Sequence, residues 1–165
     1  MATRCRKSLR QRESFNLNIL QWNAGGLSGA KFAELKKIVV ERDVDVLVVQ
    51  EANITEQNIK YYDIANYKIF GLHKKRQIAS GILVAIKQDL ISVFKIVKEM
   101  NDQDFAEIVA ITLWKNNIQF RIHGIYIPPN NKHLNLDTLL LLRNSILWVT
   151  STLLPPIGVM GITTV

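Results

Sequence analysis

Val44-Asp45-Val46-Leu47-Val48-Val49-Gln50-Glu51 is the stretch on which the fold turns. Valines dominate it, it is shorter than a typical helix, and a polar pair closes it, so it reads as a short buried strand with a polar tip. Upstream, the run Leu17–Leu20 reads the same way and is closed by Gln21-Trp22-Asn23. Open α/β sheets place ligand chemistry just past the ends of buried strands, where rigid backbone faces a crevice. An amide at Asn23 and a carboxylate at Glu51, each at such an end, have the makings of a metal-dependent hydrolytic site. The plainer alternative is that both are polar caps on strand ends.

Between the two runs lies Ala24-Gly25-Gly26-Leu27-Ser28-Gly29, a glycine-rich turn without the lysine and Ser/Thr of a phosphate loop. Lys31–Glu41 then spaces Phe32, Leu35, Ile38 and Val39 at helical intervals, which predicts an amphipathic helix packed on a sheet. Arg42-Asp43 breaks that helix, and Asn53 to Asn66 is polar, a loop or short helix. Further strands are predicted at Tyr67–Leu72, Gly81–Lys87, Leu90–Val97, Glu107–Trp114 and Gln119–Ile127. Asn116-Asn117 separates the last two and suits a tight hairpin turn, because asparagine tolerates positive φ. Pro128-Pro129-Asn130-Asn131 stops the final strand, and Leu134–Thr150 has the apolar density of a buried helix, interrupted by Arg143 and Asn144. That segment is too short and broken to span a membrane.

With 165 residues, 48% of them hydrophobic and 21% charged, the chain can bury an ordinary core, so one domain is expected over 16–165. Residues 1–15 read as a basic disordered arm carrying Arg4, Arg6, Lys7, Arg10 and Arg12, with no apolar stretch to make a signal peptide. It fits a solvated tail as well as a phosphate-binding or nuclear-address segment. A net charge of +7 and a pI near 9.6 favour an anionic partner, nucleic acid ahead of membrane. The single cysteine, Cys5, excludes an internal disulfide and points to a reducing intracellular compartment. Lys74-Lys75-Arg76 lies between two predicted strands, on a loop that can reach a phosphate backbone or simply keep a hairpin soluble.

The order Leu20-Gln21-Trp22-Asn23, Val48-Val49-Gln50-Glu51, Ser80-Gly81-Ile82, Ile125-Tyr126-Ile127-Pro128-Pro129 resembles the endonuclease/exonuclease/phosphatase superfamily. Within it, the sequence is most similar to the apurinic-type endonuclease domain of non-LTR retrotransposons, over roughly residues 16–161. The resemblance implies an α/β (α+β) fold, a partial four-layer α/β/β/α sandwich represented mainly by the first sheet and its helices. It implies magnesium as cofactor, DNA as partner, and phosphodiester hydrolysis by nicking. Glu51 would be the metal-binding carboxylate, Asn23 would position that metal or the carboxylate, and Tyr126 would contact the scissile phosphate or stabilise charge during attack. Lys74, Lys75 and Arg76 are the candidate nucleic-acid contacts. A tyrosine before Pro-Pro is also often only packing.

Glu107 opens a strand where the family often has a glutamate, and reads as supporting rather than catalytic. His73, His123 and His133 read as a loop, a strand-face and an exposed turn residue, and none resembles the family's catalytic histidine. The family next expects a helix, a strand, a Gly-Asp-Phe-Asn motif and a Ser-Asp-His ending. Here Ile157-Gly158-Val159-Met160-Gly161 is followed by Ile162-Thr163-Thr164, so a truncated, inactive copy with an uncovered sheet edge and apolar face, open to a partner, is expected. The alternatives are a nonenzymatic basic module that binds nucleic acid or protein, and an intact phosphoesterase of the same superfamily.

Overall fold

Strand β2 (Val46–Gln50) is buried along its whole length because it has a strand on each side. β1 (Asn18–Asn23) pairs with it in parallel, and β4 (Ile82–Lys87) pairs antiparallel on the other flank. The computed structural model describes residues 16–77, 80–102, 105–128, 146–150 and 161–164, the last two segments as backbone. β3 (Tyr67–Leu72) and β9 (Gly161–Thr164) complete the first sheet in the order β3-β4-β2-β1-β9. The second sheet has the order β5-β6-β7-β8, built from Ile91–Lys98, Glu107–Lys115, Ile118–Tyr126 and Ile146–Thr150. The basic arm, residues 1–15, lies outside the described residues, as does His133.

The parallel β1–β2 pair requires a crossover, and helix α1 (Gly29–Glu41) supplies it. Ser28 caps the helix by accepting from the Lys31 amide at 3.3 Å. Its buried stripe of Phe32, Leu35 and Val39 packs on Leu20, Leu47, Val49, Leu83 and Ala85, which point from one face of the first sheet. The alternate residues Ile19, Val46, Val48, Ile82 and Val84 point the other way, onto Val109, Ile111 and Ile122 of the second sheet. Gly124 is what lets the sheets meet so closely: a Cβ there would sit 2.8 Å from Val48 Cγ1 and 3.0 Å from Val109 Cγ2. The β6–β7 hairpin turns at Asn116 and Asn117, whose φ angles of 51° and 63° are those of a type I′ turn.

One reading of the sequence needs correction. Leu134–Thr150 is not one helix, because Ile146–Thr150 forms β8, parallel to β7 with Tyr126 opposite Thr150; residues 134–145 lie outside the described set. The short apolar run Ile146–Val149 carries no periodicity to separate strand from buried helix, and pairing with the outer edge of β7 decides it. Gly161–Thr164, β9, runs antiparallel to β1, with Gly161 opposite Gln21. On the outer side of the second sheet, edge strand β5 leaves Ile91 71% and Val93 56% exposed, beside Trp114 on β6.

Candidate active site

The register that aligns Asn23 with Gln50 brings the ends of β1 and β2 side by side at one mouth of the sandwich. Glu51 leaves the strand with φ of 49°, a left-handed conformation costing roughly 1–3 kcal/mol in a non-glycine residue. The surroundings hold it there: its carbonyl accepts from the Gly26 amide at 2.8 Å, and the next amide, Ala52, donates to Gly81 at 2.9 Å. Asn23 Nδ2 donates to Glu51 Oε1 at 3.1 Å, while Asn23 Oδ1 accepts from the Gly25 amide at 3.2 Å. Lys31 Nζ ties down the same glycine turn through the carbonyls of Ala24 (2.6 Å) and Gly26 (3.0 Å). Asn23 and Glu51 are thus joined directly, and the turn that lacks a phosphate-loop signature serves as their brace.

Two more amides lie at this mouth. Gln21 and Gln50 follow Ile19 and Val48 by two residues, so they share the face that looks onto the second sheet. Both are buried, yet Gln50 Oε1 and Nε2 and Gln21 Nε2 have no hydrogen-bond partner among the described residues. A buried unsatisfied amide costs about 1–3 kcal/mol per group, which argues for polar contents in this end of the inter-sheet space. Sequence reading quoted both glutamines but gave neither a role, since their burial depends on the second sheet.

Across the gap, Glu107 opens β6 and stands opposite Tyr126 of β7. Its carboxylate is fully buried and accepts from Ser80 Oγ at 2.7 Å and from the Gly81 amide at 2.9 and 3.1 Å. Burial raises its pKa to about 7, against the pull of Ser80, Gly81 and the Arg76 charge, and the nearby Glu51 charge raises it further. Tyr126 is also fully buried, its ring within the inter-sheet core. The structure therefore gathers Asn23, Glu51, Glu107 and Tyr126 at one end of the two sheets, with Asn23 and Glu51 in contact.

The basic loop follows β3. Lys75 pairs with Glu99 at 3.1 Å, and the Arg76 guanidinium lies 5.2 Å from the centre of the Phe105 ring. The lysine–arginine cluster is thus partly occupied within the chain. His123 alternates with the inward Ile122 and Gly124, so it faces away from the inter-sheet space; burial and Arg121 lower its pKa.

Among the described residues no three His, Cys, Asp or Glu side chains gather as a metal cluster. Magnesium does not need one, since one or two carboxylates suffice when water and a substrate phosphate fill the remaining positions. Glu51 fits that part: Asn23 bonds Oε1, and no described residue bonds Oε2. The unpartnered Gln50 Oε1 adds a hard oxygen at the same end.

No protein-family model and no curated protein sequence matches the chain. Solved structures do match it. An AP endonuclease from Leishmania major superposes with a TM-score of 0.57 at 15% identity, over 79% of this chain and 46% of that one. The human Nocturnin catalytic domain, solved with a sulfate anion, gives 0.53 at 16% identity, over 82% and 63%. D. rerio TDP2, complexed with a single-strand DNA product, gives 0.50 at 14% identity, over 71% and 48%. Each match spans less than two thirds of the solved chain. At such identities the likeness establishes the fold alone, a mixed α+β two-sheet arrangement of the partial endonuclease/exonuclease/phosphatase type.

Proposed function

We propose that the chain carries the cation-binding part of a magnesium-dependent phosphodiesterase site for DNA, of the kind found in non-LTR retrotransposon endonucleases. The observation that carries this reading is the Asn23–Glu51 hydrogen bond at the mouth of a two-sheet sandwich whose neighbours include an AP endonuclease. Glu51 would hold the cation with Oε2 while Asn23 fixes the rotamer of the carboxylate. Bound there, the cation would polarise a phosphoryl oxygen and neutralise developing charge. Tyr126, lying deeper, would bound the pocket on the β7 side. The DNA product seen with TDP2 supports DNA as the substrate, and the order of the four motifs supports the retrotransposon type.

Hydrolysis by these 165 residues alone is expected to be slow. Gly161-Ile162-Thr163-Thr164 carries no carboxylate or amide side chain to orient water where the resemblance expects Asp and Asn, and a proton acceptor is needed for attack. The test is supercoiled plasmid with purified protein and magnesium, beside Glu51→Ala, together with Mn2+ titration of both proteins. The reading expects Mn2+ binding that Glu51→Ala weakens at least tenfold, and nicking no faster than in the variant. Equal Mn2+ binding by both proteins would remove Glu51 from the site.

A second reading, a nonenzymatic nucleic-acid module, is favoured by the exposed Lys75 and Arg76 and by the net charge. Its test is salt-dependent DNA binding: replacing Lys74, Lys75 and Arg76 with alanine should lower affinity and flatten the salt slope. The Glu99 and Phe105 contacts already engage two of these cations, which limits what the loop can offer DNA. The exposed apolar strip on β5 is where a protein partner would cover the second sheet, and a nuclear location would suit either reading.

A further inference from the structure

We propose that Glu107 is a positioning residue that, from the second sheet, holds both the Glu51 turn and the Lys74-Lys75-Arg76 loop in one frame by gripping Ser80-Gly81. The inference rests on the reading of Glu51 as a cation ligand, but its geometry stands apart from it. Ser80 and Gly81 receive bonds from three directions. Their hydroxyl and amide donate to the Glu107 carboxylate at 2.7, 2.9 and 3.1 Å. Their carbonyls accept from Ala52 (Gly81, 2.9 Å) and Asn53 (Ser80, 3.0 Å), the two amides just after Glu51. On the third side, Ser80 Oγ accepts from the Lys75 amide at 3.1 Å, and the Lys74 amide donates to Ile54 at 2.8 Å.

The grip is specific to these residue types. Gly81 has φ of 88°, and a Cβ there would lie 3.3 Å from Ile54 N, Leu72 O and Lys74 N, so a side chain would push the turn and the loop apart. A residue serving only to fill the core beside Val109 and Ile111 would be apolar, because a buried carboxylate is costly unless donors converge on it. Three donor contacts do converge, from a hydroxyl and an amide, and each fixes a direction as well as a distance. Moving Ser80-Gly81 would move Ala52 and Asn53 with it, and with them the left-handed conformation that aims the Glu51 carboxylate.

The experiment is amide hydrogen exchange on the full chain and on Glu107→Gln, with Mn2+ affinity read from its EPR spectrum. The variant should speed exchange at Gly81, Ala52, Asn53 and Lys75 at least tenfold, leave Val48, Val84 and Val109 unchanged, and weaken Mn2+ at least fivefold. Unchanged exchange at Ala52 and Asn53, or uniform acceleration through the sheets, overturns the proposal. If Glu107→Gln does not fold, Ser80→Ala takes its place, with acceleration expected at Gly81 and Lys75 and its absence contradicting the grip. If neither wild type nor variant binds Mn2+ while the local exchange pattern appears, the cation reading fails and the positioning of the Glu51 turn stands.

Discussion

At the base of the sandwich Asp45 is 1% exposed and its carboxylate is fully engaged: Oδ1 by Lys87 at 3.1 Å, Oδ2 by Lys115 at 2.6 Å and by the Asn18 amide at 2.8 Å. At the mouth, 4% exposed Glu51 has one described partner, Gln50 has none, and Glu107 is pushed to about 7 by burial. Both ends bury carboxylates, but only the base neutralises them. The base is a clamp, with Lys87 from the first sheet and Lys115 from the second closing on one acid. The mouth tolerates unmet polar groups, the condition expected where a ligand rather than the chain completes the bonding.

Removing the acid from the base should have the largest effect. Asp45→Ala removes the buried acid that Lys87 and Lys115 share, leaving Lys87 with Asp43 and Lys115 with the Asn16 carbonyl, and breaking a buried pair by removing one partner costs about 3–5 kcal/mol. Chemical denaturation should show that loss in full, whereas Glu51→Ala should lower stability far less or raise it. A larger loss from Glu51→Ala would erase the distinction between the ends.

The next effect is a pH dependence. Glu107 has a folded pKa of about 7, above its ordinary 4.5. Its contribution is therefore fully present below about pH 4.5 and is lost as pH rises through about 7, by up to about 3 kcal/mol. Asp43 at the base has the opposite sign: its hydrogen bond and attraction to Lys87 lower its pKa, so its contribution is lost as pH falls. Stability measured from pH 4 to 8 in wild type and Glu107→Gln should differ in slope, with the variant flatter across that window. Parallel profiles would mean that folding leaves Glu107 at its ordinary value.

Strands β1 to β7, and the hairpin at Asn116-Asn117, were legible because short β-branched runs, their polar ends and turn chemistry are local. The Asn23–Glu51 pairing was legible only as two strand ends; the register that joins them comes from β1 and β2 lying parallel. Asp45 sits inside an apolar run and signalled nothing, since its lysines lie 42 and 70 residues away in sequence. Glu107 gave away its strand and not its grip on Ser80 and Gly81, 27 and 26 residues upstream, just before β4 of the other sheet. Leu134–Thr150 misled because its apolar density fits a helix and a buried strand equally well, and the polar break at Arg143-Asn144 just before β8 went unused.

Smaller effects sharpen the contrast further. Gln50→Met replaces a buried, unpartnered amide with an apolar side chain of similar size, so it should be neutral or stabilising by about 1–2 kcal/mol in thermal denaturation. A loss above about 1 kcal/mol would show that the amide is satisfied in solution. Smallest is Lys75→Ala: the Lys75–Glu99 pair is exposed on both sides, and its removal should change stability by less than about 0.5 kcal/mol.

The measurement that most directly tests the mouth as a cation site is paramagnetic broadening of backbone amide signals by Mn2+ in the full chain. Broadening should centre on Asn23, Gly25, Glu51 and Gly81, spare Asp45, Lys87 and Lys115, and vanish in Glu51→Ala. Broadening centred on Asp43 and Asp45, or unchanged by Glu51→Ala, would contradict the account.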